Sequence, residues 1–166
     1  MRRMVLIICC GAFLLIAALG LTVRLGLIPV NADAAPSYLE KRMFPMILRA
    51  SVARQSAKVT ESRPLVKADR SAGREIYASM CSDCHGRLDG RAGMLGLSFY
   101  PQAPQFTEDP ISYSDPETFW VVKHGIRNTG MPSWGGRLSE QDIWNVVAFV
   151  KALPSAETRD HAAPAQ

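Results

Sequence analysis

Cysteine is scarce in this chain of 166 residues: only 4 occur, two of them adjacent inside an apolar run. They are too few and too clustered for a disulfide framework. Histidine is scarcer still, at 3. The alternating apolar and polar runs that build half-buried strands are missing from the C-terminal half, which argues against a strand-based fold there. Basic charge is missing where a nucleic-acid module would need it. The net charge is +4, but residues 1–68 hold 10 Lys/Arg against 3 Asp/Glu, while residues 69–154 hold 8 against 10. The basicity therefore belongs to the first part of the chain, and nucleic acid is set aside as a partner. Internal repeats are absent as well.

What is present begins with Val5 to Val23, "VLIICCGAFLLIAALGLTV", an uncharged run of 19 residues. At about 1.5 Å per residue it reaches about 28 Å, close to the thickness of a bilayer's hydrocarbon core. Cys9 and Cys10 lie inside it as small hydrophobes, and Ile7-Ile8 is a poor match to a lipidation site. Arg2 and Arg3 precede the run, and after Arg24 no Lys or Arg appears until Lys41. That bias puts the N-terminus in the cytoplasm and the body of the protein outside. The competing reading is a cleaved signal with an A-x-A-like site at Ala32-Asp33-Ala34. Signal cores usually run about 7 to 15 residues, and this site lies well beyond the run, so an uncleaved anchor over residues 1–24 is favoured.

Residues 25–68 form a basic segment and linker. Within "PSYLEKRMFPMILRASVARQSAK", Leu39, Met43, Ile47 and Ala50 fall at near-helical spacing among Lys41, Arg42, Arg49 and Arg54. Pro45 is expected to interrupt or kink the helix. Three readings stay open: a helix lying on anionic lipid, a face that docks on a partner subunit, and a plain linker. Residues 57–68 read as a polar connector.

From Asp69 the pattern becomes a compact helical domain, residues 69–154. Asp69 or Ser71 caps a helix with Gly73, Ile76, Tyr77 and Met80 on one side. Gly86 to Tyr113 shows neither helix nor strand pattern and reads as a long functional loop. Ser114-Asp115-Pro116-Glu117 opens a second helix with a capping-box pair and Pro in its first turn. Ser139 opens a third, with Ile143, Val146, Val147 and Val150 on one face, and Pro154 stops it. Residues 155–166 read as a disordered tail.

The chemistry centres on Cys81-Ser82-Asp83-Cys84-His85-Gly86. Zinc would need further ligands that the chain does not supply outside the apolar run, and a redox dithiol would need a preceding strand. On one helical turn Cys81, Cys84 and His85 point to one side. C-x-x-C-H is the haem-attachment signature, with two thioethers from the cysteines and His85 on the iron. Export, which such attachment requires in bacteria, is supplied by the anchor topology. For the opposite iron position the strongest candidate is Met131 in Gly130-Met131-Pro132-Ser133-Trp134. Met94 is weaker, Met80 is too close to Cys81, and His124 and His161 read as surface and tail residues.

These motifs, "GREIYASMCSDCHG", "APQF", "GIRNTGMPSW" and "LSEQDIWNVVAFVKALP", resemble those of mono-haem class I cytochromes c, the small bacterial modules of respiratory oxidases. The resemblance spans Gly73 to Leu153. It implies an all-α class I cytochrome c fold, three main helices and long loops around one covalent haem c, here preceded by a transmembrane helix. It further implies that Gly73 and Tyr77 cross the last helix near Val146 and Phe149. Pro104 would accept the imidazole N–H of His85, and Arg127 and Trp134 would contact the haem edge or a propionate. Phe99, Phe106, Phe119 and Trp120 are expected to bury the haem.

His/Met ligation leaves no open iron position, so the expectation is an electron carrier and not an enzyme. It would sit in the bacterial inner membrane with its haem domain in the periplasm. It would exchange electrons between a quinol-oxidising complex and a terminal oxidase or reductase. The alternatives are a fixed haem subunit of a larger membrane oxidoreductase and a haem-based redox or gas sensor.

Overall fold

The computed structural model describes residues 1–31, 33–59 and 67–153. Ala32 of the A-x-A-like site, most of the expected connector, Pro154, His161 and the rest of the tail lie outside them. The chain divides into two compact units, Met1–Ala35 and Pro36–Gln166, and the described residues contain helices but no strand.

The first unit is built on α1 (Arg2–Arg24), 23 residues with none buried. Ile7, Phe13 and Leu15 all stand exposed. At about 1.5 Å per residue it is about 34 Å long, and it is long and apolar enough to cross a membrane. A helix apolar all round finds its low-energy environment in hydrocarbon or a protein core, not in water.

The second unit starts with α2 (Tyr38–Ser56), whose N-cap Ser37 accepts a hydrogen bond from Glu40 N–H. Pro45 lies inside α2 and does not end it, in contrast to the interruption its missing N–H and ring suggest. The buried side of α2 also differs from the expected apolar stripe. Val52 and Ser56 are buried and Phe44 and Leu48 half-buried, whereas Leu39, Met43 and Ile47 are exposed. The helix carries two apolar stripes, and it is the Phe44–Leu48–Val52 stripe that packs inward.

The core is a crossing of α3 (Arg70–Met80) with α7 (Glu140–Lys151), the most extensive helix pair in the unit. Asp69 caps α3 by accepting from Ser71 N–H at 2.8 Å and Ala72 N–H at 3.3 Å. Gly73 makes the crossing possible, because a Cβ there would stand 2.0 Å from Asn145 O. Tyr77 then reaches Phe149, ring centroids 5.5 Å apart. Tyr77, Val146 and Val150 form one buried cluster. Each side chain fully buried in this way contributes roughly 1.5–3 kcal/mol of transfer free energy.

Two short helices follow α3: α4 (Ser82–His85) carries the C-x-x-C-H turn, and α5 (Met94–Leu97) packs against it. The single turn of α5 interrupts a stretch that shows no helical period, four residues being too few to reveal one. α6 (Asp115–His124) opens with the Ser114/Glu117 capping box and α7 with the Ser139/Asp142 pair. α6 packs on both α7 and α2. Phe119, Ile143, Trp144 and Val147 make a second buried cluster, against which Val59 also packs.

Candidate functional site

The attachment turn is held from three directions. Its own backbone closes on Cys81, whose carbonyl accepts from Cys84 N–H at 3.1 Å and His85 N–H at 2.9 Å. From α3, the buried Tyr77 hydroxyl lies 3.0 Å from His85 O and 2.6 Å from Gly86 O, with one proton to donate between the two carbonyls. From the following loop, buried Gln105 donates to Cys84 O and Ala103 O, both at 2.9 Å, and accepts from Gly93 N–H at 2.7 Å. Phe106 N–H donates to His85 O at 2.9 Å, and its ring stacks on the imidazole at 4.4 Å and 4°.

His85 Nδ1 lies 2.9 Å from Pro104 O. A carbonyl cannot donate, so Nδ1 carries the proton and Nε2 keeps its lone pair. Burial lowers the His85 pKa below its ordinary value, outweighing the opposing bond to Pro104, and so favours the neutral ring. Burial likewise pushes Cys81 up to about 11, with the Cys84 thiol adding to the shift. Cys84 is also raised, mainly by burial. Both are therefore neutral thiols at neutral pH, and neither is in a disulfide.

The loop carrying Met131 is tied to the end of α6. Gly125 ends that helix at φ +67°, and a Cβ there would lie 2.6–2.8 Å from backbone atoms of Met131, Pro132 and Ser133. Ile126 N–H donates to Met131 O at 3.1 Å, Met131 N–H to Thr129 Oγ1 at 3.1 Å, and Trp134 N–H to Val122 O at 3.2 Å. These bonds hold the Met131 backbone without using its side chain.

Cys81, Cys84, His85, Pro104, Met131 and Trp134 all line one cavity of about 360 Å³. Its remaining walls are largely apolar, with Phe99, Phe106, Ile111, Val122 and Ile126 among them. Two thiols, an imidazole with a free Nε2 and the Met131 thioether are therefore grouped in an apolar space. That donor set fits a flat apolar metallocycle joined through its edge and ligated through its metal. Among the described residues no group of three or more His, Cys, Asp or Glu is placed to hold a bare metal ion.

Other expected residues stand elsewhere. Arg127 is exposed and outside the lining. Phe119 stacks on Trp144 at 4.3 Å in the second cluster, and Trp120 lies against His124 at 4.9 Å. The reason is helical phase. Thr118, Val121 and Val122 turn α6's cavity face inward, so Phe119 and Trp120 point along other directions. Met94 is exposed and outside the cavity, whereas Met80 lines it from the position next to Cys81. Sequence reasoning missed Gln105, although "APQF" was visible, and it missed Phe44, Pro45 and Leu48, which also line the cavity.

A helical domain with a C-x-x-C-H turn facing a methionine loop across an apolar cavity has the architecture of a class I cytochrome c. Residues 68–150 match the family described as cytochrome c oxidase, cbb3-type, subunit III. The cytochrome c6 of Picosynechococcus sp. is 30% identical over 97 residues, covering 52% of this chain and 75% of that one. The cytochrome c6 of Synechococcus sp. is 33% identical over 93 residues, covering 54% and 74%. A solved Kuenenia stuttgartiensis reducing HAO-like protein complex aligns at a TM-score of 0.42 and 23% identity, over 56% of this chain and 44% of that one. The chain belongs to this cbb3-type subunit III family of mono-haem c-type cytochromes. Its cofactor is a covalently bound haem c, and its function is electron transfer.

Proposed function

We propose that this protein is a membrane-tethered cytochrome c passing single electrons between respiratory partners at the periplasmic face of the bacterial inner membrane. The observation that carries the reading is the shared cavity, with Cys81, Cys84 and His85 on its walls together with Met131. Bound haem c supplies a one-electron ferric/ferrous couple. Cys81 and Cys84 would hold it as thioethers, and His85 Nε2, oriented by the Nδ1–H bond to Pro104, would ligate its iron. The Met131 thioether would be the second protein ligand to the iron, on a loop whose backbone is fixed by Ile126 and Thr129. With His85 and Met131 both bound, the iron would keep no site for a substrate, which suits a carrier and speaks against a gas sensor. The apolar walls exclude water and raise the reduction potential. Trp134 is a wall residue of this pocket. Arg127 is exposed and lies outside the lining. Residues 69–154 constitute the haem domain and residues 25–68 its N-terminal extension.

α1 is the tether. It keeps the haem domain at high effective concentration near membrane donors and acceptors, a quinol-oxidising complex and a terminal oxidase or reductase. The test is a haem-stained denaturing gel with an oxidised-state spectrum, on wild type and Met131→Ala. The expected result is a haem band in both and loss of the sulfur-to-iron charge-transfer band in the variant. No haem band in the wild type would overturn the reading.

A second reading, a fixed haem subunit of a larger membrane oxidoreductase, is favoured by the outer stripe of α2. Leu39, Met46 and Ile47 are 67%, 57% and 57% exposed there. Sizing the haem protein in mild detergent separates the two, since a fixed subunit elutes with partners and a tethered carrier alone.

A further inference from the structure

The matched family region begins at residue 68, yet part of the cavity wall comes from well before it. Phe44, Pro45 and Leu48 of α2 line the same cavity as His85 and Met131. The contact is not incidental to a loose helix. Val52 and Ser56 continue the Phe44–Leu48 stripe at four-residue steps and are 0% and 5% exposed. The helix packs on α6, which itself supplies Thr118, Val121 and Val122 to the wall. Arg49 Nη2 donates to Ser112 Oγ at 3.5 Å, next to the lining residues Ile111 and Tyr113. Pro45, a residue that removes one hydrogen bond from a helix interior, is among the lining residues although it is exposed overall.

The basic residues of α2 stay off this wall: Lys41, Arg42, Arg49 and Arg54 are exposed and absent from the lining. Taking up an electron lowers the net positive charge at iron by one. A wall that removes water without adding charge disfavours the more highly charged oxidised form.

We propose that α2 is an integral wall of the haem pocket, its Phe44–Pro45–Leu48 face excluding water and thereby raising the reduction potential. This rests on the haem reading above. In the measured step one electron enters from a soluble mediator, ferric iron becomes ferrous, and no covalent bond changes. The experiment is a redox titration of full-length holoprotein in detergent. Inner-face variants Phe44→Ser and Leu48→Gln are compared with outer-face variants Met43→Ser and Ile47→Gln. At a fixed ambient potential the inner variants shift the ferrous/ferric ratio about tenfold toward ferric, about 59 mV for one electron, and the outer ones leave it unchanged. Inner variants that titrate like wild type, or inner and outer variants that shift alike, would overturn the proposal. A haem band with an intact charge-transfer band in those proteins shows that the wall has failed and not the haem reading. If the polar variants do not fold, Phe44→Leu and Leu48→Ala carry the same comparison, with the same signs.

Discussion

Tyr77 shows how much one side chain does at this site. Its hydroxyl spans the His85 and Gly86 carbonyls, and its ring packs against Phe149. Tyr77→Phe keeps the ring and removes the hydroxyl that donates to the Gly86 carbonyl, while His85 O keeps Phe106 N–H, so stability falls by about 1–2 kcal/mol. The readout is a lower guanidinium midpoint with an unchanged haem band. Gly73→Ala forces a Cβ onto Asn145 O, and overpacking of this kind costs about 1–3 kcal/mol, seen in the same unfolding curve. The C-x-x-C-H turn and Met131 were legible as candidates because residue type and local spacing announce their chemistry. Gln105 was not. A glutamine on a loop carries no sign of which backbone groups will converge on it, and here those groups come from residues 84, 93 and 103.

At the scale of elements, the helix starts could be read directly. Ser114 and Glu117 form the expected box, Ser114 donating through N–H and Oγ–H to Glu117 Oε2, each at 2.8 Å. Ser114→Ala should destabilise the protein by about 1 kcal/mol. These bonds, first from the backbone and then from the side chain of Ser114, hold the Glu117 carboxyl below its ordinary value of 4.5. A lowered folded-state pKa means stability that is present above the unfolded value and lost as pH falls through the folded one. The difference in unfolding midpoint between wild type and Glu117→Gln should therefore be largest near neutrality and vanish in acid. The orientation of α2 was beyond such reasoning. Leu39, Met43 and Ile47 keep a helical period as well as Phe44, Leu48 and Val52 do, and periodicity does not say which stripe meets the core.

For the whole molecule, the distinction between an anchor and a cleaved leader rests on α1. Retention of Met1 to Arg24 in the mature haem protein is the expected outcome, measured by intact mass, with the haem band staying in the membrane after an alkaline wash. An N-terminus beginning just after Ala34 would make the segment a signal and the protein a soluble carrier. Hydrophobic length, helix caps and the haem-attachment spacing are properties of contiguous residues, so the order of residues suffices to read them. Which residues share the cavity is a different kind of fact. His85 and Met131 lie 46 positions apart, and Phe44 lies 41 before His85 and 87 before Met131. Their meeting depends on how α3 crosses α7, how Gly125 turns the Met131 loop, and which stripe of α2 is buried. Each of these follows from the fit between surfaces distant in the chain, and only the folded structure decides it.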